Sequence, residues 1–175
     1  MGRIIHLQLP PAYPDRSAEL DQAECVLLIA LRWWVTDHQR GIDPLPRLCE
    51  ILGETGAHDT AFSVDRLMSV VARSARQPIA IHCPCCPHLS DDEKNLLHAV
   101  YLAQTGDAQR AEKALRTALL SAQGAEFALG PLEGIGELFA MARLLFRRRL
   151  PPATGDIPEQ AVEPWFSSGS PAIFH

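Results

Sequence analysis

"SDDEKNLLHAVYLAQTGDAQRAEKALRTAL", residues 90–119, sets the fold class. Ser90 followed three residues later by Glu93 is a capping box, in which each residue satisfies a backbone N–H that the other leaves open. Asp91, Asp92 and Glu93 also lie at the positive end of the helix that Ser90 starts. That helix is predicted to stop at Gly106. Asp107 caps the next, which runs to about Ala122 with Ala108, Ala111, Leu115, Ala118 and Ala122 along one stripe. Such small residues bring a helix close to its neighbour. The Gly-Asp turn and alanine spacing resemble one tetratricopeptide-type hairpin. A single copy does not make a repeat array, so the stretch reads as an ordinary antiparallel helical hairpin.

The same pattern extends outward. A helix is predicted from about Ser17 to His38, capped by Ser17 and apolar on nearly every face from Val26 to Val35, as a central buried helix would be. A short helix follows Asp43 and Pro44 and ends at Gly53 or Gly56. A third spans roughly Asp59 to Arg76, with Val64, Leu67, Met68, Val71 and Ala75 inward, and Pro78 stops it. "IAIH", residues 79–82, reads as extended, a short strand able to pair with residues 3–9. "GAEFALGPLEG", residues 124–134, reads as a loop. A last helix is expected over about Leu132 to Arg149, with Arg147, Arg148 and Arg149 as a solvated end that complements the dipole. The expected fold is mainly α, a single-domain bundle of about six helices over residues 1–150, with at most one two-stranded ribbon. Residues 151–175 form a proline-rich tail. Its Trp165, Phe166, Ile173 and Phe174 give it the means to pack on the body or on a partner.

Composition narrows the function classes. The 175 residues are 47% hydrophobic and 21% charged, an ordinary globular balance. A net charge of −5 weighs against nucleic acid as the main partner. The most apolar run, residues 26–35, is broken by Arg32 and too short to span a bilayer. "MGRIIHLQLPP" does not read as a signal peptide. A cytoplasmic protein, without membrane association, is the expectation.

One segment departs from this ordinary pattern. "HCPCCPH", residues 82–88, holds His82, Cys83, Cys85, Cys86 and His88, stiffened by Pro84 and Pro87. Cys83 and Cys86 form C-x-x-C, and Cys85 and His88 form C-x-x-H. Thiolates and imidazoles at such spacings suit a tetrahedral zinc ion, with Zn–S distances of about 2.3 Å. Copper(I) or another soft transition metal suits the same donors. Adjacent Cys85 and Cys86 point apart in most backbone conformations, so five donors give about four ligands. His82, Cys86 and His88 are the best set, with Cys83 or Cys85 fourth, or with Asp92 or a second copy completing the site. The alternatives are thiol redox chemistry, favoured beside a helix N-terminus, and an inert loop. Cys25 and Cys49 read as small buried residues. His98, on the helix that follows the loop, could approach the site, although a core or surface role suits it better. Capping already explains Asp91, Asp92 and Glu93, and no phosphate loop or nucleophile motif is present, so an enzyme is not the favoured reading.

The stretch Arg76–Gly106 resembles a group of small uncharacterised helical proteins from alphaproteobacteria, through Pro78, His82, Cys86, Asp92, Glu93, Gly106 and Asp107. His88 stands where that group has the second cysteine of a C-x-C, and "LRWW" resembles an earlier landmark. The resemblance implies a helical fold and a soft-ligand loop, without an activity. The function expected from all this is a small metal-binding helical protein with a structural or regulatory role. The alternative is a helical interaction module that associates through the tail and the hairpin.

Overall fold

In the computed structural model, residues 9–152 are described. They form six α-helices and no strand: α1 (Gln22–Gln39), α2 (Leu45–Gly53), α3 (Thr60–Ser74), α4 (Asp91–Gln104), α5 (Ala108–Ala118) and α6 (Ala122–Met141). The mainly α bundle expected from the sequence is what the chain forms. α1 packs against α2, α3 and α4, while α6 packs against α3, α4 and α5. Leu27, Leu28, Leu31 and Trp34 of α1 are buried with Leu67 and Met68 of α3, Leu96 and Val100 of α4, and Leu132, Ile135 and Phe139 of α6. No described helix is long and apolar enough to cross a membrane.

Several predicted boundaries are corrected. α1 does not start at Ser17. Residues Ser17–Glu19 make a short 3₁₀ turn, and Asp21 opens the helix in a capping box with Glu24, whose carboxylate accepts from the Asp21 N–H at 2.9 Å. Asp21-x-x-Glu24 carries the same signature as Ser90-x-x-Glu93. Residues 79–82 are extended yet belong to no strand, and the proposed partner strand, residues 3–9, lies almost wholly outside the described residues.

The segment read as a loop, residues 124–134, is the first half of α6. Pro131 removes one backbone donor from the helix interior, which local propensity disfavours. Tertiary contact overrides that preference. A Cβ at Gly136 would meet the Gln104 backbone of α4 at 2.9 Å, so the glycine lets the two helices approach. Ser121 caps the start by accepting from the Gly124 N–H at 3.1 Å.

The last helix ends at Met141 instead of Arg149. Arg143 turns into the left-handed region at φ 61°, and the Leu144 N–H bonds back to the Phe139 carbonyl. Gln104 then fixes the departing chain. Its Nε2 donates to the Leu144 carbonyl at 3.0 Å and its Oε1 accepts from the Phe146 N–H at 2.8 Å. The arginine run is therefore not a solvated helix end. Arg149 is buried and clamps Glu24, with Nε to Oε1 at 2.6 Å and Nη2 to Oε2 at 2.7 Å. The expected tail packing falls on residues 151–175, of which only Pro151 and Pro152 are described.

Candidate functional site

The Cys/His loop runs into α4 through the capping box read from the sequence. The Glu93 N–H donates to Ser90 Oγ at 3.1 Å, and Glu93 Oε2 accepts from the Ser90 N–H at 2.9 Å. Ser90 Oγ also donates to the Ala80 carbonyl, and the Asp92 carboxylate accepts from the Ala80 N–H at 2.7 Å. Asp92 thereby holds the incoming arm of the loop. Burial raises its pKa above the ordinary carboxyl value, against the pull of the Ala80 hydrogen bond.

Glu93 does more than cap. Its side chain is fully buried against Arg32 of α1, which donates from Nε to Oε1 at 2.7 Å and from Nη2 to Oε2 at 3.0 Å. The remaining reach of the guanidinium goes to the loop backbone. Nη1 donates to the Cys86 carbonyl and Nη2 to the His88 carbonyl, each at 2.6 Å. Glu93 Oε1 also accepts from the His82 N–H at 3.0 Å. One buried ion pair thus fixes the loop at residues 82, 86 and 88. A planar fork of donors is what allows a single side chain to hold a carboxylate and two carbonyls together. The N-terminal segment adds a brace: the Ser17 N–H donates to the Pro87 carbonyl at 2.8 Å and the Leu89 N–H to the Asp15 carbonyl at 2.9 Å.

Arg32 was met in the sequence only as an interruption of an apolar run. The signal that could have found it is that lone arginine itself, since an arginine is almost never fully buried without a partner. Glu93 is its complement, and burial acts to raise the Glu93 pKa. The His82 and Arg32 hydrogen bonds outweigh that effect and bring it down to about 2. In return, the hydrogen bond to Glu93 raises the pKa of His82, partly offset by burial.

The five candidate ligands are not all treated alike. His82 Nδ1 lies 3.0 Å from the His88 carbonyl and 3.4 Å from Glu93 Oε2, so its ring is engaged with the clamp. Cys86 is buried and contributes its backbone, while His88 is exposed. Cys83 and Cys85 are both exposed, with their sulfurs 3.3 Å apart. They flank Pro84 in a β-turn that the Cys86 N–H closes on the Cys83 carbonyl at 3.0 Å. Proline presets the backbone at that turn position. Cys85 and Cys86 do point to different environments, as expected for neighbours. Among the described residues no group of three or more His, Cys, Asp or Glu side chains is arranged to hold a metal ion.

Burial, together with the hydrogen bond shared with Cys85, raises the Cys83 pKa. The Cys83 thiol is therefore not activated in the way a helix N-terminus activates a cysteine. Cys25 and Cys49 are half-buried within the helical body. His98 belongs to a different face of α4. It is buried beside Tyr13, with ring centroids 6.0 Å apart, and lines a cleft between α4 and α5. No family model, curated protein or solved structure was found to match the chain.

Proposed function

We propose that the protein binds a soft metal cation, zinc in the first instance, on Cys83 and Cys85, and that the ion plays an exchangeable, regulatory part. The observation that supports this is the pair of exposed sulfurs 3.3 Å apart on a proline turn whose two ends are anchored. Two thiolates on a tetrahedral zinc with about 2.3 Å bonds stand about 3.8 Å apart. The turn needs to open only slightly to match that separation. A linear two-coordinate ion would demand a much wider one.

Two sulfurs leave two positions of a tetrahedral ion to fill. His88, exposed on the same loop, is the next donor in line, and water or an incoming ligand supplies the rest. Cys86 is buried and tied to the clamp by its carbonyl, and His82 has its Nδ1 on the His88 carbonyl, which leaves Nε2 as the nitrogen His82 could offer. An incomplete protein shell belongs to a site that exchanges its ion or its fourth ligand, whereas structural zinc sites are closed. The hydrogen bonds of the Arg32–Glu93 clamp hold the loop at residues 82, 86 and 88, which supports an exchangeable part for the ion rather than a structural one.

Elemental analysis of freshly purified, untagged full-length protein tests this reading, with Cys83→Ser/Cys85→Ser as the comparison. Near-stoichiometric zinc in the parent and its loss in the double variant are expected. Equal metal in both, or none in either, defeats the reading. Metal-free protein that arrives two mass units light through a Cys83–Cys85 disulfide would transfer the site to thiol exchange.

A further inference from the structure

Away from the cysteine loop, α4 and α5 diverge around a cleft of about 260 Å³ that Pro151 and Pro152 close on one side. Its floor is His98, only 7% exposed, whose Nδ1 is buried and has no hydrogen-bond partner among the described residues. Buried polar groups are nearly always paired. Tyr13, packed edge-on to the same imidazole, has an unpartnered buried hydroxyl as well.

The rim has a definite sign. Arg110 and Lys113, one helical turn apart on α5, both line the cleft, and among the described residues no acidic side chain does. Arg110 leans on Asp107 at 3.4 Å, while Lys113 has no ion-pair partner among the described residues. Asn95 adds an amide, and Leu102 and the prolines supply apolar walls. In a chain with net charge −5, this is a local cationic basin with an apolar interior.

We infer that this cleft is a binding site for a small organic carboxylate, its charged end held by Arg110 and Lys113 and its apolar body lying against Leu102 and the His98 ring. The cleft sits near the small end of the range for ligand sites, which suits a ring-sized molecule. Burial, with a contribution from Arg110, lowers the His98 pKa, so the floor of the site is a neutral imidazole able to donate at one nitrogen and accept at the other. The site shares no residue with the cysteine turn and stands whether or not zinc binds there.

Benzoate, a carboxylate on a flat apolar ring, is a suitable probe. The experiment titrates it into full-length isotope-labelled protein and follows the His98 ring resonances. A saturable shift with a dissociation constant on the order of 1 mM is expected, as befits a shallow cleft and a minimal probe. Benzamide, of nearly the same shape but uncharged, should bind about fivefold more weakly, and Arg110→Ala/Lys113→Ala should weaken benzoate by a similar factor. Both substituted positions are exposed, and a thermal melt of the variant checks that its fold is kept. Absence of a saturable His98 shift, equal binding of benzamide, or unchanged affinity in the variant would each overturn the assignment.

Discussion

Arg32 on α1 and Glu93 on α4, 61 residues apart in sequence, meet with Nε 2.7 Å from Oε1 and with 2% and 0% of their side chains exposed. The pair is both the junction of two helices and the anchor of the loop. Breaking such a pair leaves an uncompensated buried charge. Arg32→Ala is expected to lose about 3–5 kcal/mol in denaturant unfolding, since it also strands the Cys86 and His88 carbonyls. Glu93→Gln should cost less, because an amide can still accept from Arg32. The loop should loosen in Arg32→Ala under conditions where the protein remains folded, and alkylation of buried Cys86 should then approach that of Cys83 and Cys85. A protected Cys86 in that variant would show that the anchor lies elsewhere.

The two titrating groups at this junction act at opposite ends of the pH scale. Glu93 is held at about 2 against an ordinary value of 4.5, so its contribution is complete above 4.5 and is lost as pH falls through that interval. His82 is raised above 6.5, so its contribution is complete below 6.5 and fades as pH climbs through the raised value. Denaturant midpoints should therefore fall off on both sides of a mildly acidic plateau. His82→Gln should flatten the alkaline side selectively, and a ring titration of His82 centred at or below 6.5 would contradict the geometry.

The zinc binding proposed for the cysteine turn would have a pH dependence of its own. The raised Cys83 pKa means that the metal displaces thiol protons, so affinity should rise with pH and binding should release protons to buffer. Removal of zinc by a chelator should leave the helical circular dichroism intact, with only the modest fall in Tm expected from losing a bound ligand. Collapse of the fold on chelation would make the ion structural and displace the regulatory reading.

Two backbone positions at the end of α6 should respond in opposite directions. Gly136→Ala places a methyl group 2.9 Å from the Gln104 backbone, where neither helix can yield cheaply, and should cost about 1–3 kcal/mol. Arg143 occupies a left-handed conformation at φ 61° that glycine adopts without strain, and Arg143→Gly should stabilise by about 1 kcal/mol. Thermal melts of the two variants against the parent would test both signs.

These details also show what the sequence could and could not disclose. The α4–α5 hairpin was legible because Ser90, Glu93, Gly106 and Asp107 are local signals whose meaning needs no distant partner. The first half of α6 was not, because "GPLEG", residues 130–134, is locally a helix-breaking string, and what favours the helix there is packing on α3, where a Cβ at Gly134 would meet Ser63 Oγ at 2.7 Å. The Cys/His cluster was conspicuous as composition, but how its donors divide depends on Arg32. That residue gives no hint along the chain of which carbonyls it will reach. Arg149 was misjudged for the same reason: Glu24, its partner, is 125 positions away.

Because the turn is gripped through the main chain at 82, 86 and 88 and preset by Pro84, the Cys83 and Cys85 side chains are not needed to shape it. Cys83 and Cys85 could be exchanged for other side chains while the helices beneath kept their register. The protein thus offers a socket: a fixed mount on which different pairs of side chains could flank Pro84, each bringing its own chemistry to the same point on the surface.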